Sequence, residues 1–149
     1  MANSIQQAKI ASTPSEKVKT NELAGRVRVA FAEYEASGEQ STIHMFSLPN
    51  GARILGGRLA HDALGSSTTL SVGHNAYIDS SGSTVALDVD EFKAAASSAS
   101  ASSAAIATTI ALGENSVVNA DKDGIPVSVT IAGANGTGTI QLHMTYVID

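Results

Sequence analysis

The chain has 149 residues, a length suited to one compact domain that hides roughly 68–70% of the surface its unfolded form exposes. Hydrophobic residues make up 43% and charged residues 15%, which excludes disorder throughout, and the absence of cysteine excludes disulfides, thiolate metal clusters and a cysteine nucleophile. A net charge of -5, no Trp and 4% aromatics argue against a nucleic-acid partner and leave few flat faces for stacking bases or sugars.

The opening Met1-Ala2-Asn3-Ser4-Ile5-Gln6-Gln7 lacks the charged-then-apolar order of a secretory signal. No apolar run approaches the roughly 20 residues that cross a bilayer, so the expectation is a soluble chain made in the cytoplasm with no membrane partner. Charge is unevenly placed: Lys9, Lys17, Lys19, Arg26 and Arg28 outweigh Glu16 and Glu22, giving +3 over residues 1–30 and -8 over the remainder. Residues 1–24 are polar, interrupted by Pro14, and show neither a 2-residue nor a 3.6-residue period. They are expected to be an extended N-terminal arm, either a frayed terminus or a segment ordered across a neighbouring subunit, ahead of a domain over 25–149.

From Arg26 the pattern becomes alternating. Val27, Val29 and Phe31 fall on one side, the expected buried face of a first strand, with Arg26, Arg28 and Ala30 on the other. Glu35-Ala36-Ser37-Gly38-Glu39 is expected to turn, and Thr42 to Leu48 to form the next strand, ending at Pro49-Asn50-Gly51. A third strand runs from Ala52 to Ala60, where Gly56-Gly57 suggests a bulge or a close backbone approach. Short strands follow at Thr68 to Val72, Ala76 to Ile78 and Thr84 to Leu87, with Asp79-Ser80-Ser81-Gly82 as a turn.

Asp90 to Ala105 breaks the pattern, because Ala and Ser dominate and Asp88 or Asp90 is a suitable cap. The expectation is one short Ala/Ser-rich helix carrying Phe92 inward, an assembly-ordered loop being the alternative; Ile106, Thr108, Ile110 and Leu112 then resume a structured pattern. The closing segments alternate most cleanly: Val127, Val129 and Ile131 against Ser128 and Thr130, then Ile140, Leu142, Met144, Tyr146 and Ile148 against Gln141, His143 and Thr145. Gly133-Ala134-Asn135-Gly136 is expected to join them as a hairpin loop. Many short strands at this spacing predict a mainly β chain, an antiparallel β-sandwich or jelly roll.

No catalytic, cofactor-binding or metal site emerges. His61-Asp62 invites comparison with a metal-dependent hydrolase pair, but adjacent side chains on an extended segment point to opposite faces. His44, His61, His74 and His143 lie without the i, i+2 or i, i+4 spacing that would pair two imidazoles, and His143 belongs to the polar side of its strand. Asp121-Lys122-Asp123-Gly124 opens like a calcium loop, yet Gly124 is fourth rather than sixth and Ala132 occupies the twelfth position, so a plain acidic turn is expected. The glycines at 51–57 and 133–138 precede no phosphate-loop Lys and open no helix, and no Gly-x-Ser-x-Gly elbow is present.

The run Leu48-Pro49-Asn50-Gly51-Ala52-Arg53-Ile54-Leu55-Gly56-Gly57, then Asp62-Ala63-Leu64-Gly65 and Thr68 to Gly73, resembles small virion structural proteins of tailed phages. The resemblance continues through Ala76-Tyr77-Ile78-Asp79 and a closing Thr139 to Val147 strand, covering about two thirds of the chain and leaving out the arm. It implies a capsid decoration or cement protein that sits on the capsid surface of a virion, binds the major capsid protein and forms a homo-oligomer, a trimer before a dimer. It carries over no catalytic residue, so no enzyme is expected. Three other roles remain open: a head–tail connector or tail component; a host-surface binding module, which Tyr34, Tyr77 and Tyr146 would serve sparsely; and a hydrolase, which would need His and carboxylate groups to converge.

Overall fold

The computed structural model describes residues 4–19, 23 and 25–148. Of the expected arm, residues 1–3, 20–22 and 24 lie outside the described residues, as does residue 149 at the other end. One helix, α1 (Ile5–Ala11), precedes ten strands: β1 (Val27–Glu39), β2 (Thr42–Leu48), β3 (Arg53–His61), β4 (Thr69–His74), β5 (Tyr77–Ile78), β6 (Thr84–Val85), β7 (Asp88–Ser97), β8 (Ser102–Ile106), β9 (Ile125–Ala132) and β10 (Gly136–Val147). Among the described residues no helix is long and apolar enough to cross a membrane.

Eight strands form two four-stranded antiparallel sheets, ordered β1-β10-β3-β8 and β2-β9-β4-β7, while β5 and β6 make a separate hairpin. Strands from the first half of the domain pair with strands from the second: β1 with β10, β2 with β9, β3 with β8 and β4 with β7. This is the rolled-up ribbon of a jelly roll, and the mainly β, antiparallel sandwich expected from the alternation is observed. Along the chain the sandwich strands alternate between the two sheets except at β4 and β7, which are joined through the β5–β6 hairpin and pair within one sheet. Between the sheets lie Leu48, Ile54, Leu59, Leu70, Val72, Phe92, Val127, Val129, Ile131, Ile140, Leu142 and Met144, all buried.

The structure corrects five local expectations. Residues 90–105 form no helix: they are most of β7 and all of the described length of β8 up to Ala105, joined by a turn, and Phe92 enters the core from a strand. Ala and Ser permit a helix, but a helix here would carry a single large apolar residue, whereas as strands β7 pairs along β4 and β8 along β3, extending both sheets. The turn between these strands is tied down by Ser98, whose hydroxyl donates to Thr68 Oγ1 at 2.9 Å and whose amide donates to the Thr68 carbonyl at 2.9 Å. The short helix lies instead in the arm, where Ser4 Oγ accepts from the Gln7 amide at 3.3 Å and Gln, Ala and Lys are good helix formers. None of its residues is buried, which is why it leaves no apolar stripe in the sequence.

Residues 35–39 are not a turn. They continue β1 through a bulge at Gly38, whose φ of +106° absorbs the extra residue, and the Glu39 carboxylate accepts from the Ser37 amide at 2.8 Å. Residues 133–136 are not the loop of a paired hairpin, because β9 and β10 belong to different sheets and the connection passes from one sheet to the other.

The fifth correction concerns which side of β1 is buried. Ala30, Ala32 and Tyr34 stand directly opposite Met144, Leu142 and Ile140, all of which point into the core, and directly opposite residues share a face. The even-numbered residues of β1 therefore turn inward, and Val27, Val29 and Phe31 turn outward with 62%, 61% and 60% of their surface exposed.

The expected irregularity at Gly56-Gly57 is present. The pairing of β10 with β3 slips between Thr145 and Tyr146, leaving Leu55 as the extra residue, and a Cβ on Gly57 would lie 2.3 Å from the His143 carbonyl oxygen. The two central strands of this sheet approach through that missing side chain. Gly57→Ala should lower stability by about 1–3 kcal/mol, the usual cost of overpacking; a urea unfolding midpoint equal to wild type would refute the close-approach role.

Candidate interaction surfaces

The sequence motifs with chemical potential resolve into structural parts. His61 ends β3 with Nδ1 2.7 Å from the Asp62 carbonyl, and Asp62 Oδ2 accepts from the Thr139 amide at 3.1 Å, so this carboxylate fastens β10 to the adjoining loop. Both residues border an open polar depression of about 620 Å³ that also touches Glu33, Ala60, Ser102 and Gln141. Among the described residues no three His, Asp or Glu side chains form a group able to hold a metal ion.

The four histidines stay apart. His44 Nε2 lies 3.3 Å from Ser47 Oγ near the surface, and His143 lies on the outer face of its sheet between Phe31 of β1 and Arg58 of β3. His74 is buried, with Nδ1 3.0 Å from the Asn75 carbonyl, its ring edge-on to Tyr77 at 5.1 Å and to Phe92 at 6.4 Å. This aromatic group walls a cavity of about 170 Å³ beneath the β5–β6 hairpin. Strand periodicity gave no sign of this burial, since His74 closes a strand in which both faces are covered.

Asp121-Lys122-Asp123-Gly124 is an acidic turn. Asp121 Oδ1 accepts from the Asp123 amide at 2.9 Å, and Lys122 Nζ donates to Asp123 Oδ1 at 2.7 Å in solvent. Gly124 adopts φ +77°, and a Cβ there would sit 2.3 Å from the Leu48 carbonyl oxygen, so both the backbone and the space require glycine. The three tyrosines are half-buried and none offers a free ring: Tyr34 and Tyr146 pack on the core, as does Tyr77.

The outer face of β1 is the surface with the most pronounced division. Val27, Val29 and Phe31 form an exposed apolar row, and the same row continues into Glu33 and Glu35. The carboxylates are anchored across the pair, Glu33 Oε2 accepting from Gln141 Nε2 at 2.6 Å and Glu35 Oε2 from Thr139 Oγ1 at 2.8 Å. β1 is an edge strand whose lateral partner among the described residues is β10. Sequence reading assigned the apolar row to the core, because an exposed apolar row and a buried one have the same period.

One carboxylate elsewhere shapes a loop. Asp79 Oδ1 accepts from Ser81 Oγ at 2.6 Å and from the amides of Ser81 and Ser83 at 2.8 and 2.9 Å, closing the expected turn at the tip of the β5–β6 hairpin. The Ser81 hydroxyl first and the Ser83 amide second hold its carboxyl below the ordinary aspartate value. A depressed value means that the loop gains stability at and above the ordinary range and loses it as pH falls through the depressed one. An NMR titration should give an Asp79 midpoint below the usual ~3.9, and Asp79→Ala should speed amide exchange at Ser81 and Ser83 several-fold. A normal midpoint with unchanged exchange would count against the turn being held this way.

No protein-family model and no curated protein matches the chain. Solved structures do match in fold. The chain has a TM-score of 0.61 and 22% identity to a chain of the cyanophage Pam1 capsid asymmetric unit, covering 84% of this chain and 86% of that one. To a chain in the capsid of Ralstonia phage GP4 the TM-score is 0.62 with 20% identity over 84% and 86%. To one in the acid-stable capsid of Helicobacter pylori bacteriophage KHP30 it is 0.56 with 17% identity over 82% and 87%. The fold is thus one also found in chains of phage capsid structures, as the resemblance in sequence pattern implied.

Proposed function

We propose that this chain is a virion structural protein of a tailed phage, a decoration or cement protein that binds the major capsid protein lattice on the capsid surface and stabilises the shell by bridging neighbouring subunits. The observation that carries this reading is the shared fold, matched over more than four fifths of each partner in three capsid structures. No catalytic step enters the role, and residues 25–149 act as the rigid body to which residues 1–24 are attached as an arm.

The physics of the role agrees with the surfaces described. A shell clamp gains its strength from many symmetric copies of a modest contact rather than one tight site. A jelly roll supplies a stiff block, while edge strands and an uncovered apolar row supply places to attach. Homo-oligomerisation belongs to this reading, a trimer being the first candidate and a dimer the second, since shells of this kind offer both local three-fold and two-fold positions.

A density map of the intact particle tests the reading directly. The expected result is the sandwich seated on the outer capsid surface, in contact with the major capsid protein, at a copy number that follows the shell lattice. A small ring of copies at the head–tail junction would replace it with a connector role, and absence from the particle would end it.

A further inference from the structure

We infer that the exposed row Val27, Val29 and Phe31 is the docking site for the N-terminal arm of a second copy of this chain. The inference rests on the homo-oligomeric part of the proposed function and names the surface that makes the oligomer.

The row and the arm are each incomplete in a single chain. The row leaves three large apolar side chains about three-fifths exposed on the outer face of β1. The arm, residues 4–19, buries none of its helix, and Ile5 and Ile10 are 71% and 44% exposed. Within one chain the two do not cover each other.

Charge matches them in the same sense. Over residues 1–24 the arm carries Lys9, Lys17 and Lys19 against Glu16 and Glu22, for a net charge of +1. The row passes without interruption into Glu33 and Glu35, whose carboxylates are held in place by Gln141 and Thr139. An arm with Ile5, Lys9 and Ile10 in its helix and Lys17 and Lys19 beyond it meets an apolar stretch followed by an acidic one.

Area decides the occupant. Three side chains at this exposure offer roughly 300 Å² of apolar surface, no more than the largest patch on an ordinary monomer. A stable interface takes about 800 Å² from each partner, so two rows laid against each other fall well short. Adding an arm none of whose described residues is buried supplies further surface, and exchanging arms between copies does so once per chain. Reciprocal exchange closes a dimer and cyclic exchange closes a trimer.

The chain has no cysteine, which makes the test clean. Full-length Ile10→Cys and Phe31→Cys chains are mixed and mildly oxidised, with Ile10→Cys plus Thr84→Cys as a remote control. Both sites are exposed, and circular dichroism confirms that each variant is folded. The expected result is a covalent heterodimer in the first mixture, its absence from the control, and its loss when Val29→Asp is added to the Phe31→Cys chain. The double variant carrying both cysteines should close into a covalent dimer or trimer.

Three outcomes would overturn the inference: no crosslink, a Phe31→Cys homodimer in place of the heterodimer, or a double variant that closes only within one chain. Cosedimentation of the reduced variants with shells stripped of the native chain separates this from the functional reading. Binding to shells without arm crosslinking defeats the arm site alone, whereas crosslinking without shell binding defeats the cement role alone.

Discussion

The fold depends on one long antiparallel pairing, β1 against β10. It joins residues as far apart in sequence as Val27 and Val147, separated by 120 positions, and it sets the side of β1 that faces the core. Closing so long a loop costs entropy, although the cost grows only slowly with length. The pairing offsets it by placing Ala30, Ala32 and Tyr34 beside three fully buried side chains of β10. The other pairs of the roll nest within it in sequence, β2 with β9, β3 with β8 and β4 with β7.

That dependence explains what was legible in the sequence. β9 and β10 were readable from period-two alternation alone, since their buried residues are large and aliphatic and their outward neighbours polar or small. Even there the rule had an exception: Ser128, on the outward side of β9, is fully buried and its hydroxyl has no hydrogen-bond partner among the described residues. The bulge at Gly56-Gly57 and the turn at Asp79 were also visible, because glycine pairs and Asx-capped turns follow from local chemistry.

The remainder was decided at a distance. β1 carries apolar residues on both faces, Val27, Val29 and Phe31 on one and Ala30, Ala32 and Ala36 on the other, so alternation announces a strand without saying which face is inside. The size of the side chains pointed the wrong way, and the partner strand settled the matter. The Ala/Ser segment failed for a related reason. Its propensity is permissive, and the backbone demand of the neighbouring β3 and β4 edges overrides it. Hairpin signals between β9 and β10 were real turn signals, but turn chemistry specifies a reversal and not the sheet in which the next strand lands.

The candidate surface was hidden by the same ambiguity. A catalytic site announces itself through residue types that are costly to place together, whereas an attachment surface made of Val and Phe uses the residues of the core. What distinguishes the row is its position: it stands on an edge strand, on the outside of a closed sandwich whose interior is already filled. Covering it removes apolar surface from water without moving any core side chain, so assembly and folding are nearly independent free-energy terms. A subunit built this way keeps its shape before and after attachment, which is what a lattice of identical, individually modest contacts requires.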